Sequence, residues 1–195
     1  TRITATQTES YASLFKRNAW DTIIEMYSKS IDWNQLYIFP FSATSDTVLR
    51  SFQYKILHHI IPTNKYLFTC KLKNSNLCDF CSSSIETIEQ IFWECPITQH
   101  LWSQRVNFLN DRGILISLNI MDVCIGTDQC RNQNSCINYA LLLMKYYIYT
   151  TKLCEMIPVF CVFRNYLHKR INLEKQIALT KNKLGIFYNM WSFIL

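Results

Sequence analysis

The spacing of three cysteines constrains this 195-residue chain more than any other feature. Cys78 and Cys81 are separated by two residues, and Cys95 follows an amphipathic stretch. A Cys-x-x-Cys turn sets two thiolates on one side of a tight loop, and a helix leaving it can return further ligands to the same point. Ser83 and Glu86 have the spacing of a capping box for a helix running to Glu94. Ile85, Ile88, Ile91, Phe92 and Cys95 would form its apolar face. Pro96 suits the first turn of another helix, in which Ile97, Leu101, Trp102, Val106 and Leu109 keep the period as far as Asn110-Asp111-Arg112-Gly113.

The rest of the chain supports an all-α fold. Three Gly and four Pro among 49% apolar residues leave few turn-formers for a sandwich or barrel. Residues 1–18 are polar and without period, and residues 19–40 read as a short helix followed by an extended or looped segment that packs on the core before Pro40. From 46 to 61, Leu49, Phe52, Ile56, Leu57, Ile60 and Ile61 form a helical stripe, with Asp46 as N-cap and Pro62 as its end. Thr63 caps a second short helix through Phe68. His58 and His59, adjacent on the first helix, read as exposed or locally hydrogen-bonded side chains rather than ligands. The expected architecture is a helical hairpin plus a small Cys-rich turn-helix unit, packed on a C-terminal pair of long helices. Its divisions are a flank or linker over 1–32, a helical module with the cysteine motif over 33–113, a linker over 114–136, and a basic helical module over 137–195.

Charge narrows the partners. The net +6 is distributed as −1 over residues 1–46, +2 over 47–113 and +5 over 114–195, which suits a polyanion at the C-terminal third. The apolar run Ile137–Ile157 nearly reaches membrane-spanning length, but Lys145, Lys152 and Glu155 argue against a span. Lys145, Tyr149 and Lys152 share one helical face, where two cations flanking a ring can hold phosphates and stack a base; the alternative is lysines snorkelling over an apolar helix. The next helix, over 159–184, has a stripe through Phe160, Phe163, Leu167, Ile171 and Ala178, and an exposed set that includes Arg164, His168, Lys175 and Lys181. Nine cysteines, an odd number, in an apolar chain of this size read as reduced thiols. Cys124, Cys130, Cys136, Cys154 and Cys161 are expected as buried or loop thiols. The chain opens at Thr1 without a basic-then-apolar leader and reads as a piece of a longer product.

No paired carboxylates of the Tyr-x-Asp-Asp kind, no clustered nuclease acids, no nucleophile in a glycine-rich elbow and no phosphate-cradling glycine loop occur. The sequence therefore points away from an enzyme.

The segments RSFQYKILHHIIPTNKYL and CDFCSSSIETIEQIFWECP, with Leu101-Trp102, resemble the zinc-binding segment that follows the reverse transcriptase domain in polyproteins of animal non-LTR retrotransposons. The resemblance extends over roughly residues 33–195. It implies a non-catalytic accessory module that binds element RNA or target DNA during target-primed reverse transcription, beside the polymerase domain of the parent polyprotein. It also implies an intracellular ribonucleoprotein, nuclear or cytoplasmic, with neither membrane nor small-molecule substrate. Its first, second and fourth metal ligands fall on Cys78, Cys81 and Cys95, and its third, a histidine, falls on Gln90. A neutral amide oxygen is a poor partner for zinc beside thiolates, so zinc is expected to be weakened or absent, with His100 on the next helix as a substitute ligand. The nucleic-acid contacts expected are Lys145, Tyr149, Lys152, Arg164 and Lys175. The alternatives are a structural packing module for the polymerase, or an inactive fragment of a decayed element.

Overall fold

Helices supply the regular structure of the described residues, apart from one isolated antiparallel bridge between Leu77 and Ile85. The computed structural model describes Trp20 and residues 23–25, 33–111, 113, 115–126 and 135–191. In chain order the elements are α1 (Trp33–Ala43), α2 (Thr47–Leu57), α3 (Asn64–Thr69), a π-helical turn (Gln90–Glu94), α4 (Pro96–Asn110), α5 (Ile120–Cys124), α6 (Ser135–Leu153), α7 (Phe160–Thr180) and α8 (Leu184–Trp191).

Local chemistry sets several of these boundaries. The Asp46 carboxylate accepts from the amides of Val48 (2.8 Å) and Leu49 and starts α2, and Thr63 caps α3 through the Tyr66 amide. With glycine scarce, helix ends are closed by other residues in the left-handed region. His59, Lys71, Glu155 and Asn182 have φ between 50° and 56°. At each, the next amide bonds back five residues, as Ile60 N–H does to Lys55 O and Met156 N–H to Thr151 O, which is the Schellman arrangement. For this reason α2 stops at Leu57 rather than continuing to Ile61.

Helix α6 lies at the centre. Ile137, Tyr139 through Met144 and Ile148 are all buried, and α6 packs against α1, α2, α7 and α8. Its burial all round explains the apolar run from 137. No described helix is long and apolar enough to cross a membrane.

Three local expectations change. The segment before Pro40 is helical, not extended, because α1 runs through Pro40 and buries Leu36 and Ala43. The stretch 114–136, read as a linker, contributes α5 to the core, with Ile120, Met121, Val123, Cys124 and Ile125 buried. Five residues are too few to display a helical period. Trp20, in the expected N-terminal flank, is fully buried and donates its indole N–H to Leu57 O at 3.0 Å. Residues 1–18 and Cys130 lie outside the described residues.

Candidate metal centre

The cysteine turn is built by a short antiparallel pairing. Cys78 N–H donates to Ser84 O at 2.9 Å and Glu86 N–H to Asn76 O at 2.9 Å, and Ser82 N–H closes the turn onto Cys78 O at 2.8 Å. Glu86 is not the third residue of a capping box. Its carboxylate is completely buried and accepts from the Asn64 amide (2.7 Å), the Asp79 amide (3.4 Å) and the Lys152 ammonium. That carboxylate ties the start of α3, the cysteine turn and the end of α6 together. Thr87 takes the capping role instead, accepting from the Gln90 amide at 3.1 Å.

The π-helical turn brings the third cysteine in. Cys95 N–H donates to Gln90 O at 2.8 Å, a bond across five residues. In an α-helix, residues five apart point in different directions, whereas a π turn returns the fifth residue to nearly the same side. Trp102 packs behind this turn and donates to Phe92 O at 2.7 Å. Cys95 then precedes Pro96 at the start of α4.

The Sγ atoms of Cys78, Cys81 and Cys95 all lie within 4.8 Å of one another, and those of Cys78 and Cys95 are 3.9 Å apart. Two sulfurs each about 2.3 Å from a shared tetrahedral ion would be about 3.8 Å apart, so the donor set fits a metal. Cys95 is poised as a thiolate. The hydrogen bond from the Cys78 thiol, aided by the amides of Thr98 and Ile97, outweighs burial and lowers its pKa to about 7. The same hydrogen bond, together with burial, pushes the Cys78 thiol up. At Cys81 burial is outweighed by the Ser83 hydroxyl and the amides of Ser83 and Ser84, and the pKa falls. Gln90 is buried beside them. Its Nε2 lies 3.4 Å from Cys81 Sγ, while its Oε1 has no hydrogen-bond partner among the described residues. His100 is exposed on α4 and is not among the side chains gathered at the three sulfurs. Helix α4 turns it to solvent, so the substitute-ligand expectation fails.

Residues 14–102 match the protein family described as zinc-binding in reverse transcriptase. The matched stretch is a little under half of the chain and contains all three clustered cysteines. No curated protein matches the chain.

Beyond the cysteine cluster, the residues expected to meet nucleic acid divide into two groups. Lys145 is 1% exposed and its ammonium donates to Gln53 Oε1. Lys152 is 6% exposed and is paired with Glu86. Tyr149 packs its ring against Phe52. The cationic face expected on α6 therefore points into the protein, because α6 is central rather than peripheral. Arg164 is exposed on α7, and Lys175 sits half-buried with its ammonium 5.5 Å from the centre of the Tyr188 ring.

The sequence reading did not include the buried polar residues that join α2 and α4 to the later helices. Gln53 donates to Cys124 O at 3.0 Å while accepting from Lys145. Arg105 donates to Ile137 O at 3.3 Å, and burial lowers its pKa to about 10. Gln53 occupies a position between Phe52 and Ile56 on the stripe of α2, and a polar residue there is the one signal available in the sequence.

Proposed function

We propose that the chain is a non-catalytic accessory module of a reverse transcriptase polyprotein, in which the cysteine centre is structural and α7 engages the backbone of RNA or DNA. The observation carrying this reading is the charge of α7 and the turn after it. Residues 160–183 hold six basic residues and one acidic residue. Arg170 is neutralised by Asp46, whereas Arg164, His168, Lys169, Lys181 and Lys183 are exposed. Arg164, His168, Asn172 and Lys175 follow one another at steps of four, four and three, so they share one face of the helix. A solvated cationic face of this kind gains affinity by releasing counterions from phosphates.

The test is the affinity of the whole chain for a single-stranded RNA and for a DNA duplex of equal length across a salt series. Arg164→Glu with Lys175→Glu is expected to weaken binding about equally across sequences and to flatten the salt dependence by about two charges. Unchanged affinity and slope in the double variant would contradict the assignment of this face. The module acts, on this reading, within an intracellular ribonucleoprotein. Zinc would be held by Cys78, Cys81 and Cys95, less tightly than with a histidine at position 90.

A second reading, a packing module for the polymerase, is favoured by one feature. Leu153, Met156, Ile157, Val159 and Val162 are each about half exposed around the turn between α6 and α7. Polar replacements there would leave nucleic-acid affinity intact and abolish association with the polymerase domain.

A further inference from the structure

Gln90 is buried beside the cysteine cluster. Its carboxamide nitrogen lies 3.4 Å from Cys81 Sγ, and its carboxamide oxygen is buried without a hydrogen-bond partner among the described residues. An unpaired buried acceptor is unfavourable and calls for a specific cause. In a tetrahedron with zinc–sulfur bonds of about 2.3 Å and zinc–oxygen bonds of about 2.1 Å, sulfur–sulfur edges are about 3.8 Å and sulfur–oxygen edges about 3.6 Å. The separations here are 3.9 Å between Cys78 and Cys95, and 3.4 Å between Cys81 and the near end of the Gln90 carboxamide. A half-turn of that carboxamide exchanges nitrogen for oxygen with little change in shape, and its terminal torsion is broad and nearly two-fold.

We propose that Gln90 is the fourth ligand of the centre, presenting Oε1 to an ion held by Cys78, Cys81 and Cys95 in a three-sulfur, one-oxygen site. The proposal rests on the three-sulfur reading of the centre. Without metal, Nε2 donates to the Cys81 sulfur. With metal, the carboxamide turns over and the stranded oxygen gains its partner. The step forms coordinate bonds only, with the protons of the bound thiols passing to solvent, and nothing is oxidised or reduced. The π-helical turn makes it feasible by setting Gln90 and Cys95 on the same side of the chain.

The experiment is a zinc titration of the whole chain against a chromophoric chelator, comparing the unaltered protein with Gln90→Leu and Gln90→His. Inorganic trivalent arsenic, which is complete with three sulfurs, serves as the control ion. Gln90→Leu is expected to lower zinc affinity about tenfold or more and to leave arsenic affinity unchanged, while Gln90→His raises zinc affinity by at least about tenfold. Equal zinc affinity in Gln90→Leu and the unaltered protein, with arsenic binding intact, would overturn the proposal. Should Gln90→Leu lose arsenic as well, Gln90→Glu decides: its carboxylate keeps an oxygen donor, so retained or raised zinc affinity supports the proposal and a fall overturns it. Failure of the unaltered protein to bind either ion one-to-one would remove the three-sulfur centre itself.

Discussion

Lys145 and Lys152 are both enclosed, yet they meet different partners. Lys152 faces the buried Glu86 carboxylate, with Asp79 3.9 Å away, so its charge is matched. Lys145 faces the neutral oxygen of Gln53, and burial lowers its pKa to about 7. Unfolded, the same amine titrates near 10.4. Between about pH 7 and pH 10 the unfolded chain therefore binds the extra proton, and this group makes stability rise with pH across that window. Below about pH 7 both states are protonated and its contribution levels off. Lys145→Met is expected to flatten the stability–pH profile between pH 7.5 and 9.5 in urea unfolding, whatever its effect on absolute stability. An unchanged slope would show that Lys145 does not titrate low in the folded protein. Neither environment was legible in the sequence. Both lysines fall on an apolar helix, and period alone does not say whether such a helix is central or peripheral. Cys78, Cys81 and Cys95 were legible because ligand spacing is local, whereas the burial of Gln90 and the outward turn of His100 depend on the π turn.

Among the elements, α2, α3, α4 and α7 follow from apolar period and capping chemistry, and the structure has them close to where those signals put them. Asp46 and Thr63 cap as their side chains dictate. The misplaced cap at Ser83 has a physical reason: Glu86 is taken inward by Lys152, 66 residues away in sequence, and no local pattern records such a partner. Helix ends carry a cost of their own here. Glu155 holds φ 56° at the end of α6, a conformation costing a non-glycine residue roughly 1–2 kcal/mol. Glycine there gives back about 0.5–1 kcal/mol as unfolded-chain entropy. Glu155→Gly is thus expected to stabilise the protein by about 0.5–1 kcal/mol in urea unfolding, and destabilisation would mean that Glu155 makes a contact worth more than its strain.

At the scale of the whole molecule, the all-α class was legible from composition and period, but the single core shared by its helices was not. One hydrophobic core includes Phe52, Phe92 and Trp102 together with Leu142, Phe163 and Trp191. Polar links reinforce it: buried Gln53 joins α2 to α5 and α6, buried Arg105 joins α4 to α6, and partly exposed Asp46 joins the start of α2 to α7 through Arg170. The cysteine turn is held by the same framework, since the carboxylate that accepts the Asp79 amide is the one paired with Lys152 on α6. The cysteine cluster and the basic helix α7 thus belong to one folded body. That account stands on three sulfurs acting as a single site. Cobalt(II) titration of the whole chain, read by the thiolate-to-metal absorption, tests it most directly. One equivalent is expected to bind, and Cys95→Ser is expected to abolish stoichiometric binding as fully as Cys78→Ser. A Cys95→Ser protein that keeps the full absorption and stoichiometry would contradict the account.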